Sequence, residues 1–194
     1  MPRQTRTLSI AAVAALLTLA LTGCSPTFNW REVRPDGTRL SLLLPCKPDK
    51  AQKTVPLGGQ PTVLAMLGCD AGGATFAVAV ADLGDAAKAG PVLAQWQSLT
   101  LANMKGGPRA AGTGPGGTQV VPLRLSGASV EPAPLLVSAQ GQRADGTAVM
   151  GRAAYFAQGS QVFQVVMYAG TTKLDGAPQA VEVAETFFAS LKFE

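Results

Sequence analysis

Residues 147–169 read TAVMGRAAYFAQGSQVFQVVMYA. Two apolar runs flank Gly159 and Ser160, and glycine favours a tight turn here because it accepts a positive φ. Successive side chains of an extended run point to opposite faces. One face is predicted to carry Phe163, Val165 and Met167, and the other Val162, Val166 and Tyr168. The stretch therefore predicts an antiparallel β-hairpin that is apolar on both faces.

The stretch Ala74–Leu83 predicts a central strand whose two faces differ in size. Its large side chains are Phe76, Val78 and Val80, and they alternate with Ala77, Ala79 and Ala81. Small side chains on one face allow a helix to lie close to the strand.

Two further stretches have helical periodicity. Pro91–Met104 starts with a proline, which suits the first turn of a helix, and its apolar side chains recur at helical spacing. Residues 177–191 carry an apolar stripe formed by Val181, Ala184, Phe187, Phe188 and Leu191. Both stretches are expected to pack against strands.

The start of the chain predicts another hairpin, because Asp36-Gly37 separates two strand-like runs, Trp30–Arg34 and Thr38–Leu44. Prolines then interrupt the chain, so Cys46–Val55 is predicted to be mostly loop, with one edge strand at most. Thr62–Gly68 is predicted to be a strand.

Strands, a helix, strands and a helix thus follow one another along the chain, which is typical of an α+β domain. We predict one such domain over residues 30–194, with an antiparallel β-sheet covered by helices.

Several of these segments together resemble the PsbP-type fold, named for an extrinsic subunit of photosystem II. The segments are Leu44-Pro45-Cys46-Lys47-Pro48, the strand Ala74–Val78, the hairpin Tyr155–Tyr168 and the ending Phe187-Phe188-Ala189-Ser190-Leu191-Lys192-Phe193. Members of that family are mostly non-catalytic binding or assembly factors, so the resemblance implies a function of that class. It transfers no functional residue, since no binding motif of the family is matched.

The N-terminal segment resembles a bacterial lipoprotein signal. Arg3 and Arg6 precede an apolar run, Leu8–Leu21, and the sequence Leu21-Thr22-Gly23-Cys24 resembles a lipobox. This implies a signal peptide over residues 1–23, a palmitate-type lipid on Cys24 that holds the protein on a membrane, and a short tether over residues 24–29. A plain secretory signal and a short anchor helix are the alternatives, although the apolar run is shorter than the roughly 20 residues of a spanning helix.

The residue after the lipidated cysteine bears on the location. In lipoproteins of this type an aspartate there resembles an inner-membrane retention signal, and this chain has Ser25. We therefore expect an outer-membrane protein that faces the periplasm.

The charge balance argues against nucleic-acid binding. Removal of residues 1–23 takes away two arginines and leaves 14 basic and 12 acidic side chains. A nearly neutral domain without a basic run is a poor partner for nucleic acid.

The remaining cysteines, Cys46 and Cys69, form an even pair in a compartment expected to be oxidising, which predicts a disulfide bond. Two buried free thiols are the alternative.

The sequence points to no catalytic residue, cofactor or metal. It has no histidine, which removes Ser-His-Asp and Cys-His catalysis and the usual zinc sites. The run Gly112–Gly117 fits G-x-G-x-x-G but lacks the preceding strand and following helix that nucleotide binding needs. There are two weaker candidates. One is a calcium site formed by Asp70, Asp82 and Asp85, and the alternative is that these acids lie in turns. The other is a ligand pocket lined by Trp30, Phe76, Trp96 and Phe163, and the alternative is that these side chains pack the core.

We therefore expect a non-catalytic, lipid-anchored envelope protein whose domain binds another protein or the cell wall. One alternative is a carrier or sensor of a small apolar ligand held between sheet and helix. The other is a hydrolase of unusual type.

Overall fold

The computed structural model describes residues 27–104, 118–142, 145–170 and 178–194. These ranges contain ten strands, two α-helices and a short 3-10 helix. The elements are β1 (Arg31–Val33), β2 (Leu40–Leu44), β3 (Asp49–Leu57), β4 (Gln60–Ala71), β5 (Ala74–Asp82), the 3-10 helix (Ala86–Lys88), α1 (Ala89–Asn103), β6 (Gln119–Pro122), β7 (Leu135–Gln142), β8 (Ala148–Gln158), β9 (Gln161–Gly170), α2 (Pro178–Ala189) and β10 (Lys192–Phe193).

The strands form two antiparallel sheets. The large sheet has the order β3-β4-β5-β9-β8-β7-β6, and the small sheet has the order β1-β2-β10. The predicted hairpin is β8–β9, with Gln158 paired to Gln161 and Phe156 paired to Phe163 around Gly159, whose φ is 59°. The chain is therefore an α+β protein dominated by antiparallel sheets.

Each face of the large sheet packs against a different partner. On one face, Val78, Phe163, Val165 and Met167 share a core with the small sheet and α2. On the other face, Ala79, Ala81, Val162 and Val166 share a core with α1. The predicted alternation along β5 and β9 is confirmed, since the alanine face of β5 is the one on which the helix packs.

The expectation that helices cover the sheet is wrong. Only α1 lies on one face, and α2 shares the opposite face with the small sheet. At the β3 edge the sheet extends past this packing, so every side chain from Asp49 to Thr54 is exposed. A helix of 15 residues is too short to span seven strands that lie about 4.8 Å apart, together with their side chains.

Two local expectations also need correction. The predicted loop Cys46–Val55 is mostly strand, because β3 pairs with β4 along nine residues. Its Pro56 lies in an edge strand, where a missing N–H can be tolerated. On α2, Val181 is 53% exposed and does not belong to the buried stripe, whereas Ala184, Phe187, Phe188 and Leu191 are buried.

The segment after α2 joins the small sheet to the core. Phe193 makes edge contacts with Phe156 and Phe163, at ring-centre distances of 5.8 and 5.6 Å. On the small sheet, the carboxylate of Glu32 lies 3.3 Å from Lys192 Nζ and accepts a hydrogen bond from the hydroxyl of Ser41. Strand β10 is therefore held by the apolar contacts of Phe193 in the core and by the ion pair of Lys192 at the surface.

Candidate functional site

A cleft lies between the second half of α1 and the large sheet. Its volume is about 490 Å³, and it is lined by Thr75, Trp96, Thr100, Asn103, Met104, Gln142, Val149, Gln164 and Tyr168. This volume is within the range of small-ligand sites.

The end of α1 is pinned to the sheet and forms one wall of the cleft. The backbone N–H of Gln142 donates to the carbonyl of Met104 over 2.7 Å, so a strand satisfies one of the last carbonyls of the helix. Glycine makes this approach possible, because a Cβ on Gly141 would lie 2.2 Å from that carbonyl oxygen. A Cβ on Gly151 would likewise lie 2.8 Å from Met104 Cε.

A buried glutamine lies at the floor of the cleft. Gln164 is only 9% exposed, and its Nε2 donates to Thr100 Oγ1 over 2.8 Å and to Tyr155 Oη over 3.0 Å. Thr100 in turn donates to the carbonyl of Trp96. Both amide protons of Gln164 are thus used, and its hydrogen bonds to described residues leave Oε1 free to accept.

The two tyrosines of the chain lie close to this glutamine. Burial raises the pKa of Tyr155 above its usual value, against the opposing effect of its hydrogen bonds. Burial also raises the pKa of Tyr168 to about 12, with a smaller contribution from Tyr155. Both phenols are therefore neutral at physiological pH and can donate hydrogen bonds.

None of the nine described lining side chains is charged. Asp70 is nearby and accepts a hydrogen bond from the hydroxyl of Thr75 over 2.5 Å. The lining thus combines aromatic and aliphatic surface with neutral amide and hydroxyl groups.

A second depression, of about 560 Å³, lies between the β3–β4 turn and the start of α1. Some of its polar groups already have partners within the chain. Asp82 accepts from the backbone of Gly84 and from the hydroxyl of Ser160, and the backbone N–H of Gly58 donates to Gln95. This depression differs from the cleft in having two charged side chains, Asp82 and Lys88, in its lining.

The structure places the residues singled out in the sequence as follows. Cys46 and Cys69 form a disulfide with a Cα–Cα distance of 5.9 Å. Cys24 and the run Gly112–Gly117 lie outside the described residues. Trp96 lines the cleft, whereas Phe76 and Phe163 are fully buried in the opposite core and Trp30 packs against it.

The idea of a calcium site at three aspartates is wrong. Asp70 pairs with Thr75 at the start of β5, and Asp82 is the last residue of that strand. Seven residues of extended chain separate these ends by roughly 23 Å. Among the described residues, no group of three or more acidic, cysteine or histidine side chains can hold a metal ion.

Sequence reasoning missed Gln164, although one signal points to it. It is the single polar residue in the run Val162–Met167 of a strand predicted to be apolar on both faces. A polar residue in such a strand needs a hydrogen-bond partner, and the partner here lies on a helix 64 residues away.

Comparisons with known proteins assign no family. No family model matches the chain, and no curated protein matches it. Among solved structures, a Pseudomonas aeruginosa protein of unknown function, for which a regulatory role has been suggested, aligns over 81% of this chain and 94% of its own. The identity is 16% and the TM-score is 0.38. A likeness at that level carries no argument about fold or function.

Membrane attachment is a separate question. Within the described ranges, no helix has the length and apolar character needed to cross a bilayer.

Proposed function

We propose that this chain is a lipid-anchored, non-catalytic binding protein of a bacterial cell envelope. The observation that carries the proposal is the sequence Leu21-Thr22-Gly23-Cys24 at the end of an apolar run that follows two arginines. A lipid on Cys24 would attach the domain to the membrane, and Ser25 at the next position favours the outer membrane and the periplasmic side.

The disulfide supports a location outside the cytoplasm. Disulfides persist in oxidising compartments such as the periplasm, and the Cys46–Cys69 bond links the loop after β2 to the long strand β4. It thus fastens the small sheet to the large one.

The short tether supports a function close to the membrane surface. Strand β1 begins at Arg31, seven residues after Cys24. Such a segment reaches about 25 Å at most when fully extended. The partner, an envelope protein or the cell wall, is therefore met near the membrane.

Within the α+β class, we propose that the domain has the PsbP-type fold and acts as a binding module. The features that support it are the strand pair β1–β2, the central hairpin β8–β9 and the buried Phe187 and Phe188 of α2. Binding and assembly are the functions typical of that fold class.

Lipidation is tested directly by feeding cells an alkyne analogue of palmitate and comparing the wild type with Cys24→Ala and Ser25→Ala. We expect label on the wild type and on Ser25→Ala, and an unlabelled Cys24→Ala protein that retains residues 1–23. Label on Cys24→Ala, or a wild-type protein cleaved without label, would contradict the proposal.

The binding function is tested by crosslinking in cells followed by mass spectrometry, with Cys24→Ala as the unanchored control. An envelope protein captured only by the anchored wild type supports an accessory subunit. Cleavage of an envelope substrate by the purified protein, lost on replacement of a single carboxylate, would contradict a non-catalytic role.

The cleft favours a second candidate, a carrier or sensor of a small ligand held between α1 and the sheet, although its amide and hydroxyl groups suit a less apolar ligand than the sequence suggested. Its buried Gln164 with an unused carbonyl is the specific observation. Native mass spectrometry of protein purified from its own host should then show a bound small molecule, and its repeated absence would count against a carrier.

A further inference from the structure

We propose that the cleft between α1 and the large sheet binds a neutral, hydroxyl-rich ring, namely a sugar unit of a glycan. The inference goes beyond the lipid anchor and does not depend on it, because it concerns only the nine residues that line the cleft.

The floor of the cleft offers a fixed acceptor. Thr100 and Tyr155 take both protons of the Gln164 amide, so the side chain is held in one orientation. The hydrogen bonds that Gln164 makes to described residues all use its Nε2. Its Oε1 is not a buried unpaired atom, so solvent still reaches it although the residue is only 9% exposed. A ligand hydroxyl placed there would replace water on that carbonyl oxygen and keep it hydrogen-bonded.

The rim of the cleft offers groups that can both donate and accept. The exposed Asn103 and Gln142 carry amides, and Tyr168 carries a phenol that stays protonated. Neighbouring hydroxyls of a sugar ring also donate and accept, so these groups match the edge of the ring.

The apolar part of the lining matches the faces of such a ring. Trp96, Tyr168 and Val149 contribute aromatic and aliphatic surface. The C–H groups on the face of a sugar carry slight positive charge, which favours contact with the negative face of an aromatic system.

Charged and purely apolar ligands fit this lining less well. No described lining side chain can neutralise a carboxylate or phosphate, and a charge withdrawn from water without a partner is strongly disfavoured. An apolar ligand would remove water from Gln164 Oε1 without replacing the hydrogen bond. A neutral ligand with both hydroxyl groups and C–H faces avoids both penalties.

Tryptophan fluorescence reports on the cleft in a suitable background. The chain has two tryptophans, and Trp30 packs against the core on the opposite face of the sheet. In a Trp30→Phe background, emission therefore comes from Trp96 alone. The test titrates the purified full-length chain with chitotriose, with maltotriose and with the apolar probe N-phenyl-1-naphthylamine.

We expect at least one of the two trisaccharides to shift the Trp96 emission in a saturable way. Asn103→Ala and Tyr168→Phe should each weaken that binding about tenfold, since each removes one hydrogen-bonding group from the rim. Ser98→Ala is the matched control on α1, because Ser98 is exposed and, among the described residues, its hydroxyl bonds to the carbonyl of Ala94 alone. It should leave binding unchanged.

The proposal is overturned if neither trisaccharide shifts the emission. It is also overturned if binding survives both rim substitutions, or if only the apolar probe binds, which would favour an apolar carrier. A failure of lipid labelling leaves this assay unaffected, so the two proposals are tested separately.

Discussion

At the scale of single residues, the main feature of the cleft is the buried Gln164 and its hydrogen bonds. Gln164 could be placed on one face of β9 from the alternation of the sequence, but its partners Thr100 and Tyr155 come from α1 and β8. Each alternation pattern describes one strand or helix, and it contains no information about which other element lies opposite.

The two tyrosines predict a loss of stability at alkaline pH. The folded-state pKa of Tyr168 is about 12, above the usual value of 10.0, and that of Tyr155 is also raised. A group whose folded pKa is raised contributes stability below its unfolded pKa and loses it as the pH rises towards the folded value. Stability should therefore fall between pH 10 and 12.

Ultraviolet absorbance of tyrosinate follows this transition directly, because Tyr155 and Tyr168 are the only tyrosines in the chain. In Tyr168→Phe, only Tyr155 remains to lower the stability at alkaline pH, so the loss should be smaller than in the wild type. Ionisation of both phenols near pH 10 without unfolding would contradict the burial described here.

At the scale of elements, the sequence predicted what depends on local patterns. The β8–β9 hairpin and the core of α1 follow from a turn glycine and from regular apolar spacing. The edge strand allowed within Cys46–Val55 proved to be the nine-residue β3. Its extent was underestimated because its exposed side chains lack an alternating apolar pattern, and its pairing with β4 outweighs Pro56. The two-residue strand β10 was missed because it is defined only by its partner β2.

The junction between α1 and the sheet leads to a prediction on Gly141. Gly141→Ala places a Cβ 2.2 Å from the Met104 carbonyl oxygen, so the helix end must move. Overpacking of this kind costs about 1–3 kcal/mol. We expect that loss in the free energy of unfolding, measured by urea denaturation followed by circular dichroism.

Gly170→Ala is the matched control for this substitution, because no atom of the described residues lies within 4 Å of a Cβ at that position. It should leave the free energy of unfolding nearly unchanged. Equal effects of the two substitutions would show that the junction does not depend on the close approach at Gly141.

At the scale of the whole molecule, the two sheets depend on a few long-range connections. The disulfide joins residues 23 positions apart and fastens the region of the small sheet to β4. The contacts of Phe193 with Phe156 and Phe163 make a second connection. Composition and cysteine count predicted the first connection, whereas no pattern in the sequence indicated the second.

Reduction of the disulfide should lower the stability of the whole fold by about 3 kcal/mol, since closing a loop of this length restricts the unfolded chain. Urea denaturation with and without dithiothreitol measures the difference. The double variant Cys46→Ala/Cys69→Ala should match the reduced protein and should not respond to dithiothreitol, and an unchanged midpoint on reduction of the wild type would contradict the bond.

The small sheet has a consequence for the order in which the protein folds. Its strand β2 pairs with β1 through a short turn, but it pairs with β10 only across about 150 residues of chain. Contacts between such distant positions form slowly, because a long loop must close before they contribute stability. The hairpins β3–β4 and β8–β9 close through short turns and need no such loop. Closure of the small sheet is therefore expected to follow them.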